Sequence, residues 1–220
     1  MMMERDVLSR RAVLRVLTLF AARPAGVLAL AAGRPGIARA QAGGRCAPTQ
    51  ADLEGPFYVP GAPSRIAIAP PEEPGDRVIV RGRVLGPDCA TPLAGAVLDV
   101  WQADSQGSYH GPTEQYRLRG RLRTGADGGY ELFTVKPGAY RIGDRFRPAH
   151  IHMIVTHRAH APLTTQLYFK GDPHLAPNDA CGAACKSDDP GRIISLHKEE
   201  KMGGDFWAGT FDIVLGQAGT

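Results

Sequence analysis

Between residues 77 and 215 the apolar runs are short and punctuated by glycine and proline, and this punctuation constrains the fold more than any other feature. Val78-Ile79-Val80 opens a β-branched run that ends after Leu85 at Gly86-Pro87-Asp88. Residues 96–102 form a second run. Ala126-Asp127-Gly128-Gly129 then turns the chain into Tyr130-Glu131-Leu132-Phe133-Thr134-Val135, which stops at Lys136-Pro137-Gly138. Further strands are expected at residues 151–155, 163–169 and 209–215. Proline breaks helix interiors and glycine weakens them, so 27 Gly and 18 Pro exclude long helices and favour short strands joined by turns. The expected architecture is all-β: an antiparallel β-sandwich with long loops, forming one domain over residues 77–220. Residues 41–76, rich in Ala, Gly and Pro, are expected as an extended arm before it.

The first forty residues have a different character. The twin arginine in Ser9-Arg10-Arg11-Ala12-Val13-Leu14, the apolar stretch over residues 16–32 and the triplet Ala38-Arg39-Ala40 before Gln41 have the layout of an export signal. Arg23 and Pro24 interrupt the apolar stretch, so no stable membrane span is expected. A basic tail on a cytosolic protein is the competing reading. This segment carries seven arginines against two acids, so the formal net charge of +4 arises in it, and the remainder holds 19 basic and 20 acidic residues. That balance gives no basic surface for nucleic acid or an anionic membrane. The expected location is the periplasm or cell exterior, reached by the twin-arginine route.

All four cysteines, Cys46, Cys89, Cys181 and Cys185, follow the cleavage site, and an even number in an exported chain favours disulfides over metal ligation. Cys181 and Cys185 are near enough in sequence to pair locally, with Cys46 and Cys89 as the natural second pair, although three connectivities are open. The polar stretch 181–190 reads as a surface loop closed by its own cysteines.

The chemistry concentrates in Arg147-Pro148-Ala149-His150-Ile151-His152-Met153-Ile154-Val155. Side chains alternate along a strand, so His150 and His152 share one face while Ile151, Met153 and Val155 occupy the other. Two tyrosines precede them at turns: Tyr109 after Gln106-Gly107-Ser108, and Tyr140 after Lys136-Pro137-Gly138-Ala139. Three more stretches complete the pattern: Glu54-Gly55-Pro56-Phe57-Tyr58, the run from Pro92-Leu93-Ala94-Gly95 through Trp101-Gln102, and Gln166-Leu167-Tyr168-Phe169. Taken in chain order, these stretches resemble the intradiol ring-cleaving dioxygenases over most of residues 52–215.

The resemblance implies a non-haem Fe(III) centre held by Tyr109, Tyr140, His150 and His152, with Tyr140 and His152 axial and the other two equatorial. Phenolate oxygen is a hard, donating anion suited to ferric iron, and imidazole accepts several first-row metals. The implied partners are O2 and a small aromatic diol, cleaved between its hydroxyl-bearing carbons to a cis,cis-muconate-type diacid. In that scheme Tyr140 leaves the metal and takes a substrate proton as general base. Arg147 sets a permanent cation beside carbanion character on the ring, and Gln166 lies near the site. A homo-oligomer is compatible with the resemblance. Trp101 is read as packing between the sheets, and His110, His157, His160, His174 and His197 as surface or hydrogen-bonded residues.

Two features depart from the family pattern. Arg141-Ile142 stands where many members have proline and an aromatic residue, which leaves the ring substituent undefined. The arm lacks the helical dimerisation segment of catechol and hydroxyquinol dioxygenases, which brings the chain nearer the protocatechuate type or exported relatives. The readings from other classes are a non-catalytic extracellular β-sandwich binding module, which has no need of four convergent donors, and a copper protein.

Overall fold

The computed structural model describes residues 46–111, 116–201 and 204–218. The export signal expected over residues 1–40 lies outside the described residues, as do the first residues of the arm. Twelve strands are formed among the described residues: β1 (Arg77–Leu85), β2 (Val97–Gln102), β3 (Arg119–Arg123), β4 (Gly129–Val135), β5 (Tyr140–Ile142), β6 (Arg145–Arg147), β7 (His150–His157), β8 (His160–Phe169), β9 (Ile193–Ile194), β10 (His197–Lys201), β11 (Gly204–Thr210) and β12 (Ile213–Val214). One sheet has the order β10-β11-β1-β12, with β4 on the other side of β1; the second has the order β3-β2-β7-β8-β9, and β5 and β6 form a separate hairpin. Among the described residues no helix is long and apolar enough to cross a membrane.

The expected sandwich is present. Its pairing is antiparallel except where β11 and β12 run parallel to β1, and β9 parallel to β8. The run expected over residues 209–215 is divided at Phe211-Asp212, where the chain moves along the edge of β1. Gly82 allows that crossing, because a Cβ there would lie 1.7 Å from the Phe211 carbonyl oxygen. That oxygen instead accepts from the Tyr130 hydroxyl at 2.7 Å.

Between the sheets, Val78, Val80 and Val84 of β1 and Leu132 of β4 meet Leu98 and Val100 of β2, Ile151, Met153 and Val155 of β7, and Leu167 and Phe169 of β8. Each is 2% exposed or less, and removing this apolar area from water is what holds the two layers together. The opposite face of β2, β7 and β8 carries different chemistry. In register across it, Trp101 faces His152, His152 faces Gln166, and His150 faces Tyr168. Trp101 therefore differs from expectation: it is 1% exposed, but on this outer face rather than between the sheets, because Val100 takes the inward position. The arm runs along β8, with the Asp52 amide donating to the Thr164 carbonyl at 2.9 Å and Thr165 Oγ1 to the Gln50 carbonyl at 2.7 Å, and then reaches the outer face, where the Tyr58 ring lies 4.9 Å from that of Trp101.

The cysteines pair as Cys46–Cys89 and Cys181–Cys185, the first spanning 43 residues. Closing a loop of that length in the unfolded chain stabilises the fold by about 4 kcal/mol. A Cys46→Ser/Cys89→Ser variant is expected to lose stability of that order in equilibrium denaturation; an unchanged midpoint would show that tying the arm to the β1–β2 turn contributes nothing.

Candidate metal centre

Tyr109 and Tyr140 arrive on the outer face from two turns in backbone contact. The Gly107 and Gly138 amides both donate to the Asp104 carbonyl, at 3.1 and 2.8 Å. Gly107 has φ +86°, and a Cβ there would lie 2.3 Å from the Ala139 oxygen, so only glycine lets the turns meet. Asp104 Oδ1 accepts from the amides of Gln106 and Ser108, both at 2.9 Å, which fixes the turn just before Tyr109. From the arm, Phe57 stacks on Tyr109 with ring centres 4.1 Å apart and lies edge-on to Tyr140 at 5.9 Å. Arg119, buried at 3% exposure, donates to the carbonyls of Phe57 and His110, each at 2.7 Å, and so joins the arm to the Tyr109 turn.

The donor atoms converge. Tyr109 Oη lies 3.3 Å from His150 Nε2 and 3.1 Å from His152 Nε2, and the two Nε2 atoms are 3.1 Å apart. A triangle of this size leaves an ion roughly 2 Å from each corner, the bond length of first-row metals to imidazole and oxygen. Tyr140 flanks the triangle, its ring 5.6 Å from Tyr109 and 5.7 Å from His150. His150 Nδ1 lies 2.6 Å from the Pro148 carbonyl, to which it donates, leaving Nε2 unprotonated toward the centre. Trp101 stacks on His152 at 4.7 Å with planes 5° apart. Among the described residues no group of three or more His, Cys, Asp or Glu side chains could hold a metal ion. The convergent set is phenol and imidazole, which suits a ferric ion better than zinc or calcium.

Burial, with the Arg147 charge second, lowers the His150 pKa from 6.5 to about 3. Burial, His150 and then Arg147 depress His152 well below its ordinary value. Both rings are thus neutral and ready to ligate. Tyr109 is pushed up, by burial first and Tyr140 second, so its phenol keeps its proton until a cation replaces it.

Arg147 is 4% exposed. Its Nε donates to Asp179 Oδ1 at 3.1 Å, and its Nη2 to Gln166 Oε1 at 2.9 Å and to Tyr168 Oη at 3.0 Å. Burial works to lower its pKa, but Tyr168, Asp179, Tyr140 and Asp52 outweigh it and hold the guanidinium above its ordinary value. The Tyr168 hydroxyl reaches Asp52 Oδ2 at 2.8 Å, and Asp52 is in turn paired with Arg192, which is wholly buried. Gln166 Nε2 donates to the Leu53 carbonyl at 2.7 Å. Nothing in the sequence marks a role for Asp52, Phe57, Arg119, Tyr168, Asp179 or Arg192, since each acts through a partner elsewhere along the chain. None of the five other histidines joins the donor set: His110 pairs with Asp104, His160 with the Gly216 carbonyl and the neighbouring His157 ring, His174 stacks on Phe146, and His197 contacts Glu199.

Comparison with known proteins gives a consistent answer. The family model described as dioxygenase matches residues 53–217. Chlorocatechol 1,2-dioxygenase of Rhodococcus opacus is 38% identical over 159 residues, 61% of this chain and 61% of that protein. Catechol 1,2-dioxygenase 1 of Acinetobacter lwoffii is 38% identical over 151 residues, covering 57% of this chain and 47% of that one. The chain therefore spans between about half and three fifths of the length of these curated relatives. The crystal structure of 3-chlorocatechol 1,2-dioxygenase from Rhodococcus opacus superposes with TM-score 0.70 at 31% identity, over 78% of this chain and 74% of that one. The dioxygenase domain of a dioxygenase and carbohydrate-binding protein fusion from Streptomyces sp. SirexAA-E superposes with TM-score 0.63 at 36% identity, over 78% and 99%.

Folding favours neutral His150, whose pKa of about 3 lies below the ordinary 6.5. The stability this contributes is complete above pH 6.5 and is lost as pH falls through that window toward 3. Metal-free protein is expected to melt at progressively lower temperature over this range, and His150→Gln to flatten the dependence. Identical pH profiles for the two proteins would contradict the assignment.

Proposed function

Because the chain belongs to the intradiol dioxygenase family, we propose that it binds one non-haem ferric ion through Tyr109, Tyr140, His150 and His152. With O2 it cleaves a catechol-type aromatic between the two hydroxyl-bearing carbons. Both oxygen atoms enter the cis,cis-muconate-type product, so no external reductant is needed. The observation that carries the reading is the 3.1–3.3 Å triangle of Tyr109 Oη and the two histidine Nε2 atoms, with Tyr140 beside it. A non-catalytic binding module would leave these buried donors without purpose.

When bound, the ion supplies Lewis-acid character that draws electron density from the diol oxygens and readies the ring for O2. Tyr140, a phenolate when it holds the ion, would take up at Oη a proton from an incoming diol hydroxyl and become a neutral phenol. Tyr109 is kept in place by the stacked Phe57 ring, and His150 by the Pro148 carbonyl. The Arg147 guanidinium, permanently charged and held at Nε and Nη2, sets a fixed cation beside negative charge that develops on the ring. Gln166 orients Arg147 through Oε1. Phe57 and Trp101 pack against the donors and exclude water from them. The protein is exported by the twin-arginine route, a reading supported by the layout of residues 9–41 and by its two disulfides, which persist in oxidising compartments.

Reconstitution with ferric iron is expected to give one iron per chain and the visible absorption of a ferric phenolate. O2 uptake is then expected with at least one member of a panel of catechol, protocatechuate, hydroxyquinol and chlorinated or methoxylated catechols. Protein that stays colourless and iron-free would sink the reading, and copper in its place would replace the mechanism. His150→Ala and His152→Ala are expected to lose iron, and Tyr140→Phe to weaken the visible band and slow substrate binding. Arg147→Ala is expected to keep iron and colour while kcat falls on the order of 100-fold or more, the scale set by removing one preorganised charge-stabilising group. Wild-type turnover in that variant would exclude the role given to Arg147.

A further inference from the structure

The segment after β8, residues 170–192, docks along the stretch that leads into His150. Asp172 Oδ2 accepts from the Ala149 amide at 2.8 Å, Arg145 Nη2 donates to the Pro177 carbonyl at 3.1 Å, and the Ala180 amide donates to the Phe146 carbonyl at 2.9 Å. Asp179 is wholly buried at the centre of this contact. Its Oδ1 takes two hydrogen bonds, from Arg147 Nε at 3.1 Å and from the Cys181 amide at 2.9 Å, the latter at the start of the five-residue ring closed by the Cys181–Cys185 disulfide. Its Oδ2 is buried with no hydrogen-bond partner among the described residues. A buried carboxylate so placed is tolerated because a guanidinium stays beside it, so the pair is fixed from both sides.

We infer that Asp179 is a positioning residue that sets the orientation of Arg147 in the site. A planar guanidinium held at one nitrogen can swing about that contact, whereas contacts at two nitrogens define its plane. Gln166 and Tyr168 on β8 hold Nη2, and Asp179 holds a second nitrogen, Nε. Because the carboxylate is carried by a loop rather than by the sheet, Arg147 depends on a segment that provides none of the four metal donors.

The kinetic half of the test rests on the catechol-cleavage reading, and the spectroscopic half is independent of it. In metal-free protein the Arg147 Nε–H resonance, assigned by its loss in Arg147→Lys, is expected in slow exchange with water. It is expected to vanish or broaden in Asp179→Ala while backbone amide signals persist. In iron-loaded protein, Asp179→Ala is expected to lower kcat by roughly 10- to 100-fold, the scale of one hydrogen bond to a charged group, with KM within twofold and iron content unchanged. Asp179→Asn, which keeps an acceptor oxygen, is expected to recover part of that loss, and it carries both measurements if the alanine variant fails to fold. In the Arg147→Ala background neither substitution is expected to change kcat more than twofold. An unchanged Nε–H resonance, or losses that multiply in the double variant, would overturn the inference. Absence of turnover in the wild-type protein would instead count against the catechol reading and leave the resonance to decide the role of Asp179.

Discussion

The two-residue period of β7 is the constraint on which the rest depends. Ile151, Met153 and Val155 are each fully buried between the sheets, so the intervening His150 and His152 must face outward. A slip of one residue would put imidazoles into an apolar core and expose three large side chains, which fixes the register of the strand. The hydrophobic core therefore does more than hold the sandwich closed. It sets the direction of two nitrogens, and neighbouring β2 and β8 complete the same face with Trp101, Gln166 and Tyr168.

What the sheet does not supply comes from segments laid over it. The arm brings Phe57 against both tyrosine rings, the paired turns at Gly107 and Gly138 bring the tyrosines themselves, and the segment after β8 brings Asp179 to Arg147. The division is physical. A rigid face carries the imidazoles, whose separation has little tolerance, while the phenols and the guanidinium approach from covering loops. Those loops are made stiff by backbone contact, aromatic stacking and a buried ion pair.

Much of this plan was legible in the chain. Strands with β-branched runs, such as β1, β2 and β7, announced themselves by residue type, and the sharing of a face by His150 and His152 followed from alternation alone. β3 did not, because Arg119-Gly120-Arg121-Leu122-Arg123 buries one arginine for its backbone hydrogen bonds and exposes two, which disguises its pattern. The β5–β6 hairpin is only three residues on each side and mostly exposed, so no periodicity marks it. The split at Phe211 was hidden for another reason: it depends on Gly82, more than a hundred residues earlier. Tyr109 and Tyr140 stood out through the order of motifs around them, since a tyrosine after a glycine turn is otherwise unremarkable. The contacts around Arg147 were illegible, because they join Asp52, Gln166, Tyr168, Asp179 and Arg192 from widely separated parts of the chain.

The electrical character of the donor set bears on assembly. With both imidazoles held neutral and the Tyr109 phenol held protonated by burial, these three contacts carry no charge of their own. They call for no counter-ion, so the sandwich closes over them without burying a net charge at these three positions. On the proposed ferric reading, filling such a nest would be an exchange, one metal ion in and at least the Tyr109 proton out, and its equilibrium would favour the loaded form more strongly as the medium becomes more alkaline.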